Sequence, residues 1–163
     1  MRLKSTLLIV VTILLTACST APTTPARPSK AIPYADIPMA PVSLGCLSHD
    51  GAPHIYSFRV QEFYSRRMVG GLSCGGIGAF GYMLPLKWRP GMKVKVRWNR
   101  PIKGEDFWLE KTTTIKRYEE AGTLYVHFFQ NDEVRVLSSA LAAPESPYHP
   151  ILKSATIAPP EEE

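Results

Sequence analysis

The sequence predicts an all-β fold, a small antiparallel sandwich or partly open barrel, on three observations. Residues 92–98 alternate apolar and cationic side chains, the period-two spacing that gives a strand one buried and one wetted face. Residues 123–129 and 133–137 are rich in β-branched and aromatic types. They flank Gln130, Asn131 and Asp132, whose Asn and Asp suit the positive φ of a short hairpin loop. Finally, no helical period longer than about two turns runs through residues 43–143, apart from an ambiguous stretch at 61–68.

In chain order, the first candidate strand covers residues 55–60, where Ile55, Phe58 and Val60 supply apolar and β-branched weight. The Gly-rich segment 70–81 follows and reads as a loop or bulged strand whose glycines permit positive φ or close backbone packing. Residues 92–98 then place Met92, Val94, Val96 and Trp98 on one face, with Pro90 and Gly91 as the turn that starts the strand. A strand at 112–118 is joined to the next across residues 119–122. The runs at 123–129 and 133–137 pair as a hairpin.

Composition sets the boundaries. In 163 residues, 45% are hydrophobic and 20% charged, which suits one modest core. Residues 1–17 read as a signal peptide, with Arg2 and Lys4 ahead of an apolar run too short to span a bilayer. Without those two cations, 17 Lys and Arg stand against 14 Asp and Glu, an excess of +3 scattered along the chain. That is far from the clustered basic face that binds nucleic acid, so no nucleic-acid partner is expected.

Leu15, Thr16, Ala17 and Cys18 resemble a bacterial lipobox, which implies cleavage before Cys18 and acylation of that cysteine. Ser19 stands where inner-membrane retention usually has an aspartate, so the sorting rules of lipoproteins imply the periplasmic face of the outer membrane. Several acyl chains hold such a protein on the membrane for practical purposes. Residues 18–42 carry six prolines and read as an extended tether. Residues 43–151 form the single β domain, and 152–163, with Pro159, Pro160 and three final glutamates, read as a disordered acidic tail.

Motifs for chemistry fail on context. Gly71, Ser73 and Gly75 fit the G-x-S-x-G elbow, but glycines follow where a helix must hold the serine. Gly76, Gly78 and Gly81 fit G-x-G-x-x-G, but Pro85 and Pro90 block the helix that would receive a pyrophosphate. His49, His54, His127 and His149 lack ligand-like spacing and read as surface or partly buried residues, and Ser48, His49 and Asp50 read as a turn. No catalytic residue, cofactor or metal is expected. After acylation of Cys18, the cysteines Cys46 and Cys74 form one disulfide or stay as two buried thiols; an exported chain favours the bridge.

Met83, Leu84, Pro85, Trp88, Pro90, Gly91, Val94, Val96 and Trp98 match a pattern MLPxxWxPGxxVxVxW. Arg117, Tyr118, Glu120, Gly122 and residues 124–128 match RYxExGxLYVHF, and 132–136 read DEVRV. Together they resemble a family of proteobacterial lipoproteins often encoded beside phospholipase effectors of the type VI secretion system. The resemblance implies a non-enzymatic immunity protein that neutralises a lipase effector in the periplasm. The family pattern has cysteines just before the MLP element where this chain has Phe80, Gly81 and Tyr82, so Cys46 and Cys74 stand as a substitute bridge. An envelope scaffold or assembly lipoprotein explains the anchor and tether as well. A lipid-modifying enzyme would need Ser73 or a histidine to act.

Recognition of a lipase or another periplasmic protein is expected in the loop between residues 98 and 112. There Arg100, Phe107 and Trp108 supply types enriched at binding hot spots, on a segment free to vary without disturbing a sheet. The competing expectation is that Phe107 and Trp108 begin a strand and fold back onto the core.

Overall fold

The computed structural model describes residues 37–161. Eight strands run in chain order as β1 (Met39–Ser48), β2 (Ser57–Gln61), β3 (Met68–Leu72), β4 (Gly76–Pro85), β5 (Lys93–Asn99), β6 (Trp108–Lys116), β7 (Thr123–Phe128) and β8 (Val134–Ser139). They form one sheet in the order β3-β2-β5-β6-β8-β7-β1-β4. The sheet curls until its two outer strands meet: a Cβ on Gly71 of β3 would fall on the backbone of Gly78 of β4. Arg67, just before β3, donates to the Gly81 carbonyl on β4. The result is a nearly closed barrel, so the all-β reading holds.

The alternation of each strand fills the interior. Val94, Val96 and Trp98 of β5 meet Phe58 and Val60 of β2, Ile115 of β6, Val126 and Phe128 of β7, and Leu44, Tyr82 and Leu84 of β1 and β4. Buried hydroxyls find partners as burial requires: Tyr118 Oη donates to the Pro85 carbonyl at 2.7 Å and Tyr82 Oη to that of Gln61 at 3.0 Å. Trp88 closes one end, its indole N–H donating to Ile115 O at 2.9 Å.

The hairpin of β7 and β8 forms in the register Thr123↔Ser139 to Phe128↔Val134. Its turn carries Asn131 and Asp132 at φ 59° and 57°, the left-handed conformation these residues tolerate best. Four features sharpen or correct the expectation. First, the sheet is mixed: β1 pairs in parallel with β7, and β6 in parallel with β8 at Ile115↔Val136 and Lys116↔Leu137. β8 therefore lies between β6 and β7, which do not pair directly. Second, of the two readings of the Gly-rich segment it is the strand that forms, supplying most of β3 and β4, with register shifts where β4 pairs with β1.

Third, β1 begins at Met39, inside the stretch read as tether. The Pro38 carbonyl accepts from Leu86 N–H at 2.9 Å, which by alternation turns the Pro41 nitrogen away from β4. On that other side, pairing with β7 begins only at Leu44, so the missing N–H leaves no ladder bond unmade. Fourth, residues 152–161 are not a free tail. They lie over the outer face of the sheet, where Ile151, Ala155 and Ala158 cover Tyr125, Phe129 and Leu137. Arg135 Nε donates to Pro159 O at 2.6 Å, and Thr113 Oγ1 to Glu161 at 3.1 Å.

The ambiguous stretch at 61–68 is a loop built round one carboxylate. Buried Glu62 accepts from Ser65 Oγ at 2.7 Å, from Met83 N–H at 2.9 Å and from the Arg67 guanidinium, tying the β2–β3 loop to β4. Burial pushes this carboxyl up, but the donors Arg67, Ser65 and Met83 outweigh it and hold it below its ordinary value. A depressed folded value means stability that is present above the unfolded value near 4.5 and lost as pH falls through the folded one. Glu62→Gln keeps the shape and removes the charge. Urea titrations at neutral pH should show a loss of about 1–3 kcal/mol, and the variant should lose less stability than the wild type between pH 5 and 3. Equal acid sensitivity in both would remove Glu62 from this role.

Candidate functional site

The β5–β6 hairpin is rigid for reasons legible residue by residue. The ladder runs from Lys93↔Thr114 to Asn99↔Trp108. Beyond it, Lys103 and Gly104 at φ 52° and 87° turn the chain between Ile102 and Glu105, which bond to one another through both backbone pairs. Two successive positive φ values are the signature of a turn whose twist matches its strands. Buried Asn99 fixes the rest: its Nδ2 donates to Asp106 Oδ1 at 2.7 Å, and its Oδ1 accepts from Phe107 N–H at 3.0 Å.

On this frame stand two arginine–aromatic pairs. The Arg97 guanidinium lies 4.8 Å from the Trp108 ring centre, and that of Arg100 lies 5.0 Å from the Phe107 ring centre. Trp108 and Phe107 remain 39% and 40% exposed, so neither ring enters the core. Trp108 does open β6, but on the outer face. Arg100 Nε also sits 3.0 Å from Asp132 Oδ1 in the β7–β8 turn, an ion pair without hydrogen-bond geometry that draws the two hairpins together. The cationic surroundings are continuous. Arg59 pairs across from Arg97 and is exposed, Lys93 and Lys95 alternate along the same strand, and Glu110 lies 2.7 Å from Lys95, with Glu105 and Asp106 exposed at the hairpin tip. The structure thus brings Arg100 to Phe107 and adds Arg97 and Asp132, which the sequence reading did not include.

Cys46 on β1 and Cys74 in the β3–β4 turn are bonded to one another. Ser73 stands in that same turn between two strands, at φ 64°, with its N–H donating to Tyr56 O at 2.6 Å. No strand-to-helix elbow supports its hydroxyl. Cys18 and the signal segment lie outside the described residues.

The histidines correct the sequence reading more sharply. Three of the four are buried and meet on the outer face of β7, under the C-terminal segment. His49 Nε2 lies 2.9 Å from His127 Nδ1, and His149 Nε2 lies 3.2 Å from His127 Nε2. His49 is therefore not in a surface turn: its ring stacks on Phe129 at 4.0 Å. The detectable signal was that residues 124–129 are apolar or aromatic at nearly every position, as a strand buried on both faces must be. Among the described residues, no group of three or more His, Cys, Asp or Glu is arranged to hold a metal ion. No helix among them is long and apolar enough to cross a membrane.

A family model described as a protein of unknown function, DUF3304, matches residues 49–136, more than half of the chain. No curated protein and no solved structure matches.

Proposed function

The chain belongs to the DUF3304 family of proteins of unknown function, and we propose that it is a non-catalytic binding protein, anchored through Cys18 to the periplasmic face of the outer membrane. In this reading it neutralises a lipase effector of type VI secretion by covering it with the β5–β6 hairpin. The observation that carries the reading is the pair of half-exposed rings, Trp108 and Phe107, each faced by an arginine of the same hairpin. Trp and Arg are the types enriched where a few residues supply most of an interface's affinity. A loop already held in place by Asn99 and Asp132 loses little entropy on binding. The surrounding arginines and lysines favour an acidic patch on the partner, raising the encounter rate. The sequence resemblance supplies the lipase, and an anchor places the binder where a phospholipase must act.

The test is Trp108→Ala combined with Arg100→Ala in cells producing a periplasmically directed cognate lipase. The variant should fold, judged by circular dichroism, yet fail to protect, with affinity for the effector lowered by roughly 100-fold or more. Full protection by a folded double variant would place recognition elsewhere. Absence of any lipase that the wild type binds would favour the envelope-scaffold reading instead.

A further inference from the structure

The buried histidines form a chain with two carbonyl ends. His49 Nδ1 lies 3.2 Å from Lys153 O, and His149 Nδ1 lies 2.9 Å from Ala142 O. Between them run the contacts of 2.9 Å and 3.2 Å to the two nitrogens of His127. A carbonyl oxygen only accepts, so each end contact requires a hydrogen on Nδ1, and each nitrogen–nitrogen contact requires one hydrogen. Four contacts therefore need four hydrogens, whereas three neutral imidazoles carry three. With both ends committed to carbonyls, the neutral chain has its gap on one side of His127. One added proton makes His127 an imidazolium that donates from both nitrogens, and every contact is then filled. A second added proton has nothing to fill: on His49 or His149 it would set a donor against a donor.

We propose that this chain is an acid-sensitive latch that fastens residues 142–161 to the sheet, takes up one proton while closed, and releases the segment when a second enters. The segment supplies both terminal carbonyls, His149 itself and the Ile151 side chain over Tyr125, Phe129 and Leu137. Its release uncovers that apolar face.

The charged and titratable groups around the chain are accounted for on every side. From the end of β1, Asp50 acts on His49; from β7, the edge of the Tyr125 ring faces His149 at 5.1 Å and His127 at 6.4 Å. From β8, Arg135 is the register partner of His127. Its guanidinium is taken up by Glu133 at 2.9 Å, Glu161 at 3.5 Å and the Pro159 carbonyl. From the C-terminal segment come Glu145, acting on His149, and Lys153, 3.7 Å from Glu145. No carboxylate is within hydrogen-bonding reach of the three rings among these partners.

Burial is the first cause that pushes all three imidazoles below their ordinary 6.5, His127 well below, where its two neighbours add to the effect. The sign follows from linkage. An opened segment returns the rings to water and to ordinary values, so the open form binds more protons than the closed one. The latch is tight above about pH 6.5 and loosens as pH falls. The opening constant should rise about tenfold or more per pH unit below that point.

The experiment uses the mature full chain with ¹⁵N-labelled histidine. Long-range ¹H–¹⁵N spectra at pH 8 should show His49 and His149 as Nδ1–H tautomers; while the segment stays closed, the first proton to enter the three-ring chain should sit on His127, because only there does it fill the missing ring–ring contact, and burial delays that step to well below the ordinary value. Over the same titration, the protection factors of the amides in residues 142–161, taken as the intrinsic exchange rate at each pH divided by the observed one, should fall about tenfold or more per pH unit below 6.5, while those of Val96 and Val126 stay high. His149→Asn leaves two imidazoles with two contacts, a count that neutral rings satisfy, so His127 should no longer take up a proton while the segment is closed. Nε2–H tautomers at both ends, or protection factors in the segment that are flat between pH 8 and 5, would overturn the proposal. A His127 that still charges in the closed His149→Asn variant would do the same, and if His149→Asn does not fold, the wild-type spectra and exchange decide alone.

Discussion

Trp98→Ala should lower the free energy of unfolding by about 3–5 kcal/mol, the range for truncating a large buried aromatic, and the melting temperature by on the order of 10 °C or more. Trp98 is 2% exposed and pairs across the ladder with Phe58 on one side and Leu109 on the other. Its ring lies 5.4 Å from that of Phe128 across the barrel. Four strands therefore contribute to one contact, and no single neighbour can collapse into the space an alanine would leave. The indole also carries an expense: its Nε1–H is buried without a hydrogen-bond partner. Trp98→Phe removes that unsatisfied donor while keeping much of the ring, so its loss should be well under half that of Trp98→Ala. Urea denaturation of the two variants measures both numbers. A melting temperature unchanged in Trp98→Ala would contradict the inward placement of β5, and equal losses in both would show that the N–H has a partner.

How much of this was legible in the sequence depended on the distance between the residues that interact. The strand at 92–98 and the hairpin at 123–137 were readable because alternation and a two-strand turn are local facts. The parallel pairing of β1 with β7 and the placement of β8 between β6 and β7 join segments far apart in the chain. Local pattern carries no information about which strand lies beside which. β1 was hidden for a further reason. Pro38 and Pro41 made its first half look like more of the tether, and only the one-sided pairing at Pro41 makes that proline compatible with a strand. The C-terminal segment was obscured in the same way, since its prolines argue against regular structure and are silent on packing. The apolar outer face of β7 was the place where the sequence asked for a cover.

The site was legible in composition and not in partnership. Phe107, Trp108 and Arg100 stood out because aromatic and Arg residues sat together on a loop free to vary, yet Arg97 and Asp132 belong to the same surface and come from a strand and a different turn. The three histidines were seen singly for the same reason: they come from just after β1, near the end of β7 and the covering segment, and spacing in sequence does not report their meeting.

Reducing the Cys46–Cys74 bond should destabilise the barrel by about 3–4 kcal/mol, the chain-entropy value for the 28-residue separation it spans. The location argues that the loss will be felt first at one seam. Cys74 lies in the turn that joins β3 to β4, the two strands whose meeting closes the sheet. Cys46 lies on β1, in register with Gly76, and its carbonyl accepts from Gly75 N–H at 3.1 Å. β3 and β4 are held at that seam mainly by close approach at Gly71 and Gly78 and by Arg67, so the covalent tie to β1 limits how far the turn can swing out. Denaturation with and without a thiol reductant gives the magnitude. Amide exchange gives the place: β3 and the first half of β4 should lose protection before β7 and β8. Reduction keeps both sulfur atoms in place and so avoids the packing loss that Cys46→Ala adds at a 2% exposed core position. If reduction left the denaturation midpoint unchanged, the turn would be fixed by its backbone bonds alone. If protection instead fell uniformly, the barrel would open as one unit and the seam would have no separate stability.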